Sequence, residues 1–150
     1  MREEAGETES MRSAFDKLSG LELREAVANS YLTVWAGSSG GSVPAMAATT
    51  VADRLGLSYS LYGDEITTRD YFRSHPDQHR AVSSFGNAMY DTTQAWLKER
   101  RVTSINLFRA GGDASDRPFS SWSLNWGGVR HESGRSTIRR QVEAKYILSV

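Results

Sequence analysis

The 150-residue chain contains no cysteine, which excludes a disulfide framework and any thiolate metal site. Nor does it hold any run approaching the roughly 20 apolar residues that a membrane-spanning helix needs. Its first ten residues carry Glu3, Glu4, Glu7 and Glu9 without an apolar stretch, so they do not read as a secretory signal. Together these absences set a cytoplasm as the expected compartment, a host cell's included, and no association with a membrane. Net charge is also lacking, because 18 basic side chains balance 18 acidic ones. That zero hides an asymmetry. Residues 1–97 hold 8 basic and 13 acidic side chains, whereas residues 98–150 hold 10 basic and 5 acidic. A positive C-terminal third suits an anionic ligand such as a dinucleotide or nucleic acid, and equally suits a solvated arginine-rich face.

What is present suffices for one domain. A chain of this length buries about 70% of the surface its unfolded form exposes. Four Trp, six Tyr and five Phe supply bulky core material. Residues 1–20 read as an acidic arm, flexible or helical, ahead of a helical region over 21–101 and a sheet over 102–150. From Leu21 to Trp35, apolar Leu23, Ala26, Val27, Tyr31, Val34 and Trp35 recur at helical spacing. Gly37 to Gly41 reads as a loop. Ser42 and Pro44 open a second helix that runs to about Leu55 and closes at Gly56. Tyr59, Leu61 and Tyr62 read either as a short strand or as packing under a loop. Ser74 and Asp77 read as a capping box for a long helix to about Arg101. Its expected buried face is Val82, Phe85, Met89, Thr92 or Thr93, and Trp96. Full enclosure of the Trp96 ring would make its loss cost about 3–5 kcal/mol.

Beyond Arg101 the period changes to that of strands. Val102 to Arg109 places Ile105, Leu107 and Arg109 on one face, with Asn106 and Phe108 on the other. Phe119 to Leu124 is a second strand candidate. Residues 125–139 read as loop or poor helix. Gln141 to Val150 alternates as a third strand. The expected class is therefore α+β, with helices followed by a small mixed or antiparallel sheet.

Few motifs carry chemistry. His75 and His79 have helical metal-ligand spacing but no third ligand near them in sequence, so no metal site is assigned. Gly37 to Gly41 lacks the residues of a phosphate-binding loop, and no serine stands in a nucleophile elbow. What remains is Arg109 at the end of one strand candidate and Ser121 and Ser123 on the next. Alternation points the two hydroxyls to one face and Trp122 to the other. A guanidinium beside them suits phosphate or ribose oxygens. The same residues also fit a buried arginine paired with Asp113 or Asp116 beside two edge serines.

Leu107-Phe108-Arg109-Ala110 resembles the aromatic-arginine strand of the arginine-serine-glutamate class of ADP-ribosyltransferases. Ser121-Trp122-Ser123-Leu124 resembles that family's Ser-Thr-Ser motif, in the Ser-Trp-Ser form of phage and bacterial members. The helix with Met89-Tyr90-Asp91 and Thr93-Gln94-Ala95-Trp96 is similar to the one preceding the arginine strand, and Val142 to Val150 to the family's next core strand. The resemblance spans roughly residues 80–150. It implies the NAD-binding first half of that fold and transfer of ADP-ribose from NAD to a protein or nucleic-acid acceptor. By it, Arg109 and Ser121 are the catalytic-site residues, and Arg109, Ala110, Ser121, Trp122 and Ser123 bind NAD, which is a substrate. Arg109 would anchor the pyrophosphate and nicotinamide ribose, Ser121 would orient the nicotinamide end and the carboxylate, and Ser123 would support the strand. The family's glutamate lies on a strand beyond Val142 to Val150, and neither Glu132 nor Glu143 matches its position. The expectation is thus a half-enzyme that is weak or inactive alone, with a second chain as the candidate source of the missing strand and glutamate. The alternative is a degenerate, non-catalytic module that binds a partner or serves a phage as a structural or virion-associated accessory.

Overall fold

A computed structural model describes residues 15–36, 42–61, 64–110, 122–124 and 137–148. Leu23, Val27 and Tyr31 recur every fourth residue, and they form the buried face of helix α1 (Gly20–Ala36). Alanine-rich α2 (Ser42–Arg54) buries Val43, Met46, Ala47 and Val51 against it. Two threonines within α2 satisfy their hydroxyls on its own turns, Thr49 on the Ala45 carbonyl and Thr50 on that of Met46. Gly56 ends α2 at a φ of +66°, where Leu57 N–H reaches the Ala52 carbonyl and Gly56 N–H that of Asp53. This left-handed turn is one that glycine adopts without steric cost.

Residues 57–61 form no strand, contrary to one expectation for Tyr59 and Leu61; Tyr62 lies outside the described residues. The Tyr59 hydroxyl instead donates to Asp53 at 2.5 Å. Helix α3 (Asp64–Ser74) follows, and the sequence did not announce it. Among its described side chains only Thr68 and Phe72 are buried, too short a stripe to register as a period.

Helix α4 (Pro76–Glu99) is the longest element, as its period predicts. The capping box does not form. His75 is the N-cap and makes no side-chain cap bond, while Ser74 ends α3 and donates to the Tyr71 carbonyl at 2.8 Å. The buried stripe runs through Val82, Gly86, Tyr90, Thr93 and Leu97. Phe85 and Met89 flank it, half-buried against the core. Trp96 falls off the stripe, 44% exposed, with the Arg100 guanidinium 4.2 Å from its ring centre. Gly86 explains the rotation. It brings α4 so close to α2 that a Cβ there would stand 2.9 Å from the Ala47 carbonyl oxygen. The helix turns its narrowest position inward, and the aromatic residue one step from Leu97 is carried toward solvent.

The chain leaves α4 through Arg101, a non-glycine residue at φ 55°. Strand β1 (Ser104–Ala110) then pairs antiparallel with β2 (Thr137–Glu143), Ser104 opposite Glu143 and Ala110 opposite Thr137. On its other flank Phe108 pairs with Ser123, each donating to the other's carbonyl at 2.8 Å. The strand expected from Gln141 to Val150 is displaced toward the N-terminus. After Glu143 the backbone coils into a 3-10 turn (Ala144–Tyr146). Donors from α4 capture carbonyls there: Gln94 bonds those of Ala144 and Ile147, and the Tyr90 hydroxyl bonds that of Lys145. These bonds and the burial of Ile147 override the alternation of Val142, Ala144, Tyr146 and Leu148. The architecture is α+β, helices first and a small antiparallel sheet after them. Among the described residues, no helix is long and apolar enough to cross a membrane.

Candidate functional site

Arg109 sits one residue from the end of β1, opposite Ile138 and half-buried. Ala110 ends the strand opposite Thr137. Ser121, Asp113, Asp116 and Glu132 lie outside the described residues. Trp122 and Ser123 follow from the Phe108–Ser123 pair. Because these two residues exchange both backbone bonds, their side chains rise from the same face of the sheet. Alternation then sends Arg109 to the opposite face, and one step along the Ser123 segment sends Trp122 there too. The guanidinium of Arg140, which is opposite Leu107 on that same face, lies 6.0 Å from the Trp122 ring centre. The register thus places Arg109 on the same face of the sheet as Trp122 and Arg140. It sets Ser123 on the far side with Phe108, whereas the sequence reading had paired the guanidinium with the hydroxyls.

Charge on the sheet is one-sided. The two strands carry Arg109, Arg139 and Arg140 against Glu143 alone. Glu143 lies on the Ser123 face, opposite Ser104, and its carboxylate pairs with Lys145 at 2.9 Å. This hydrogen bond is the main reason that the Lys145 ammonium is held above its ordinary range. Measured along β2, Glu143 is five residues beyond Ile138, the partner of Arg109. At about 3.4 Å per residue that is about 17 Å, too far to serve a bond broken beside Arg109. An open hollow of about 340 Å³ lies near this end of the sheet, between Gln94, Leu97, Lys98, Arg101 and the Glu143–Lys145 pair.

His75 ties helix ends together. The His75 ring stacks on Tyr71 at 4.0 Å, and its Nδ1 lies 2.7 Å from the Tyr71 carbonyl, which fixes the proton on that nitrogen. Asp16 accepts from the buried Gln78 amide at 2.9 Å and lies 3.7 Å from His75 Nε2. This network ties the residues before α1 to α3 and α4. Among the described residues, no group of three His, Asp or Glu is placed to hold a metal ion.

Arg140 is the site residue that sequence reasoning missed. Its run, Arg139-Arg140-Gln141, looks like any solvated surface until the register with β1 assigns one arginine to each face. No protein-family model matches the chain, and neither a curated protein nor a solved structure does.

Proposed function

We propose that the chain forms the NAD-binding part of an ADP-ribosyltransferase of the arginine-serine-glutamate class, acting in a cytoplasm on a protein or nucleic-acid acceptor. One observation supports this reading above others: the arginine strand and the Ser-Trp-Ser segment are neighbours, joined through Phe108 and Ser123. Two motifs of the resemblance, ten residues apart in sequence, therefore meet on neighbouring backbone segments. In this reading the Arg109 guanidinium grips the pyrophosphate and nicotinamide ribose with its planar set of donors. Such a grip binds the ground state and orients the scissile bond. Acceleration requires negative charge against the oxocarbenium-like ribose, and Glu143 is out of range to supply it. Glu143→Gln should therefore leave any transfer rate unchanged.

A second reading, a partner-binding module without catalysis, draws on the sheet itself. No residue of β1 or β2 is fully buried, so both faces retain surface that another polypeptide can cover. Calorimetric titration with NAD separates the two. The transferase reading expects binding that Arg109→Lys weakens, because an ammonium cannot replace the two-point contact of a guanidinium. Absence of NAD binding, or equal affinity in parent and Arg109→Lys, overturns it.

A further inference from the structure

We propose that the hollow beside the end of α4 binds the phosphate monoester of a small molecule, with Lys98 and Arg101 gripping the phosphate. This site lies at the opposite end of β1 from Arg109 and is independent of the NAD reading. Gln94, Leu97 and Lys98 stand at i, i+3 and i+4 on one face of α4, and all three line the hollow. Arg101 follows the helix, where a left-handed φ of 55° turns the chain back, and it belongs to the same wall. The other wall is the Glu143–Lys145 segment. Backbone and amide bonds hold these walls in place. The Gln94 amide donates to the Ala144 and Ile147 carbonyls at 2.9 Å, and Ala144 N–H donates to the Thr103 carbonyl at 2.8 Å. The hollow is therefore pre-formed, which reduces the ordering that binding requires.

Local structure does not use up the two cations. Glu143 pairs with Lys145, and Glu99 pairs with Arg100, whose guanidinium also covers Trp96. Among the described residues, no carboxylate pairs with Lys98 or Arg101. Nor do the last carbonyls of α4 require them, since Arg101 N–H takes that of Lys98 and Val102 N–H that of Leu97. Arg101 also stands where a side chain is sterically unfavourable, and Gly56 holds the matching place after α2 at φ +66°. A large cation there departs from the local rule, as residues of functional sites do. The charges set the ligand's class. Lys98, Arg101 and Lys145 against Glu143 leave the lining at +2. A phosphate monoester carries about −1.5 to −2 at neutral pH, close to balance, whereas a carboxylate carries a single charge. Leu97, Val102 and Ala144 give an apolar floor against which a small hydrocarbon body can pack. A volume of about 340 Å³ is that of a small-molecule site.

The experiment is a chemical-shift titration of the 150-residue chain with phenyl phosphate, inorganic phosphate and benzoate, which has the same ring but one carboxylate. Phenyl phosphate should bind saturably, shift the amides of Leu97, Thr103 and Ala144, and bind more tightly than either other probe. Arg101→Gly should weaken it about 10-fold or more while the chain stays at least as thermally stable, which separates lost binding from lost folding. Lys98→Gln, at an ordinary helical position, should weaken it about 5-fold. Arg100→Gln should change it by no more than about 2-fold. Benzoate binding as tight as that of phenyl phosphate would overturn the phosphate assignment, and inorganic phosphate binding as tightly would overturn the role of the apolar floor. Equal losses in Arg100→Gln and Arg101→Gly, or no saturable shift in the parent chain, would overturn the site itself.

Discussion

Replacing Gly86 with alanine tests the packing on which the helical part rests. In a helix interior this change is ordinarily favourable by about 0.5–1 kcal/mol, since alanine loses less backbone entropy. Here the added methyl carbon would lie 2.9 Å from the Ala47 carbonyl oxygen and 3.1 Å from both the Cα and the Cβ of Ala47. The nearest of these is backbone, so no rotamer change relieves it and α2 must move away from α4. Overpacking of this kind costs typically 1–3 kcal/mol, and the movement also strains two links between these helices. They are the Thr50–Ser83 hydroxyl contact at 3.1 Å and the Arg54–Asp91 ion pair at 2.7 Å. Net destabilisation should be about 1–2 kcal/mol, a fall of roughly 3–6 °C in Tm for a chain of this size. Urea unfolding followed by circular dichroism measures it. Ala47→Gly in the same chain should restore only part of the loss, because the carbonyl oxygen remains. A Gly86→Ala protein as stable as its parent would show that the two helices do not meet so closely.

Other expectations follow from single positions. Arg101 holds a left-handed φ while its N–H bonds the Lys98 carbonyl and Val102 N–H bonds that of Leu97, the pattern that ends α2 with a glycine. Arg101→Gly should therefore stabilise by about 0.5–1 kcal/mol, the steric relief exceeding the entropy that glycine adds to the unfolded chain; a lower Tm would refute it. Trp96→Ala should cost about 1 kcal/mol, far below the 3–5 kcal/mol of an enclosed ring, since chiefly the contact with Arg100 is lost. Burial first, and the bond to Asp53 second, push the Tyr59 phenol up to about 12 from 10.0. A raised folded-state value means that its contribution to stability is complete below pH 10.0 and disappears as pH climbs toward about 12. Phenolate absorbance should show Asp53→Asn moving this titration only part of the way back, because burial persists; an unchanged curve would exclude the hydrogen bond.

The helices legible in the sequence are those whose apolar positions repeat over three turns or more. In α1, Leu23, Val27 and Tyr31 suffice, and α2 adds Pro44 near its start and Gly56 at its end. Helix α3 carries no such repeat: Thr68 and Phe72 are the only deeply buried ones among its described side chains, and Ile66 is half exposed. In α4 the existence of the helix was plain and its orientation was not. Bulk suggested that Trp96 faces inward, but close approach at Gly86 decides the angle, and glycine carries no hydrophobic signal. The 3-10 turn after β2 was hidden for a related reason. Its cause lies some fifty residues away, in Tyr90 and Gln94.

The candidate site shows where such reading stops. Alternation within one strand is a local property, so the sequence could say that Leu107 and Arg109 share a face and that Ser121 and Ser123 do. Which residues of different strands share a face is a question of parity between them, and a slip of one residue inverts every answer. The Phe108–Ser123 pair supplies that parity for the one described contact between the two motifs. With it, the indole and not the Ser123 hydroxyl accompanies Arg109. The consequence is chemical. A hydroxyl beside a guanidinium would add one neutral donor to a ribose or phosphate, whereas an indole adds a π-face that recruits a second guanidinium from β2.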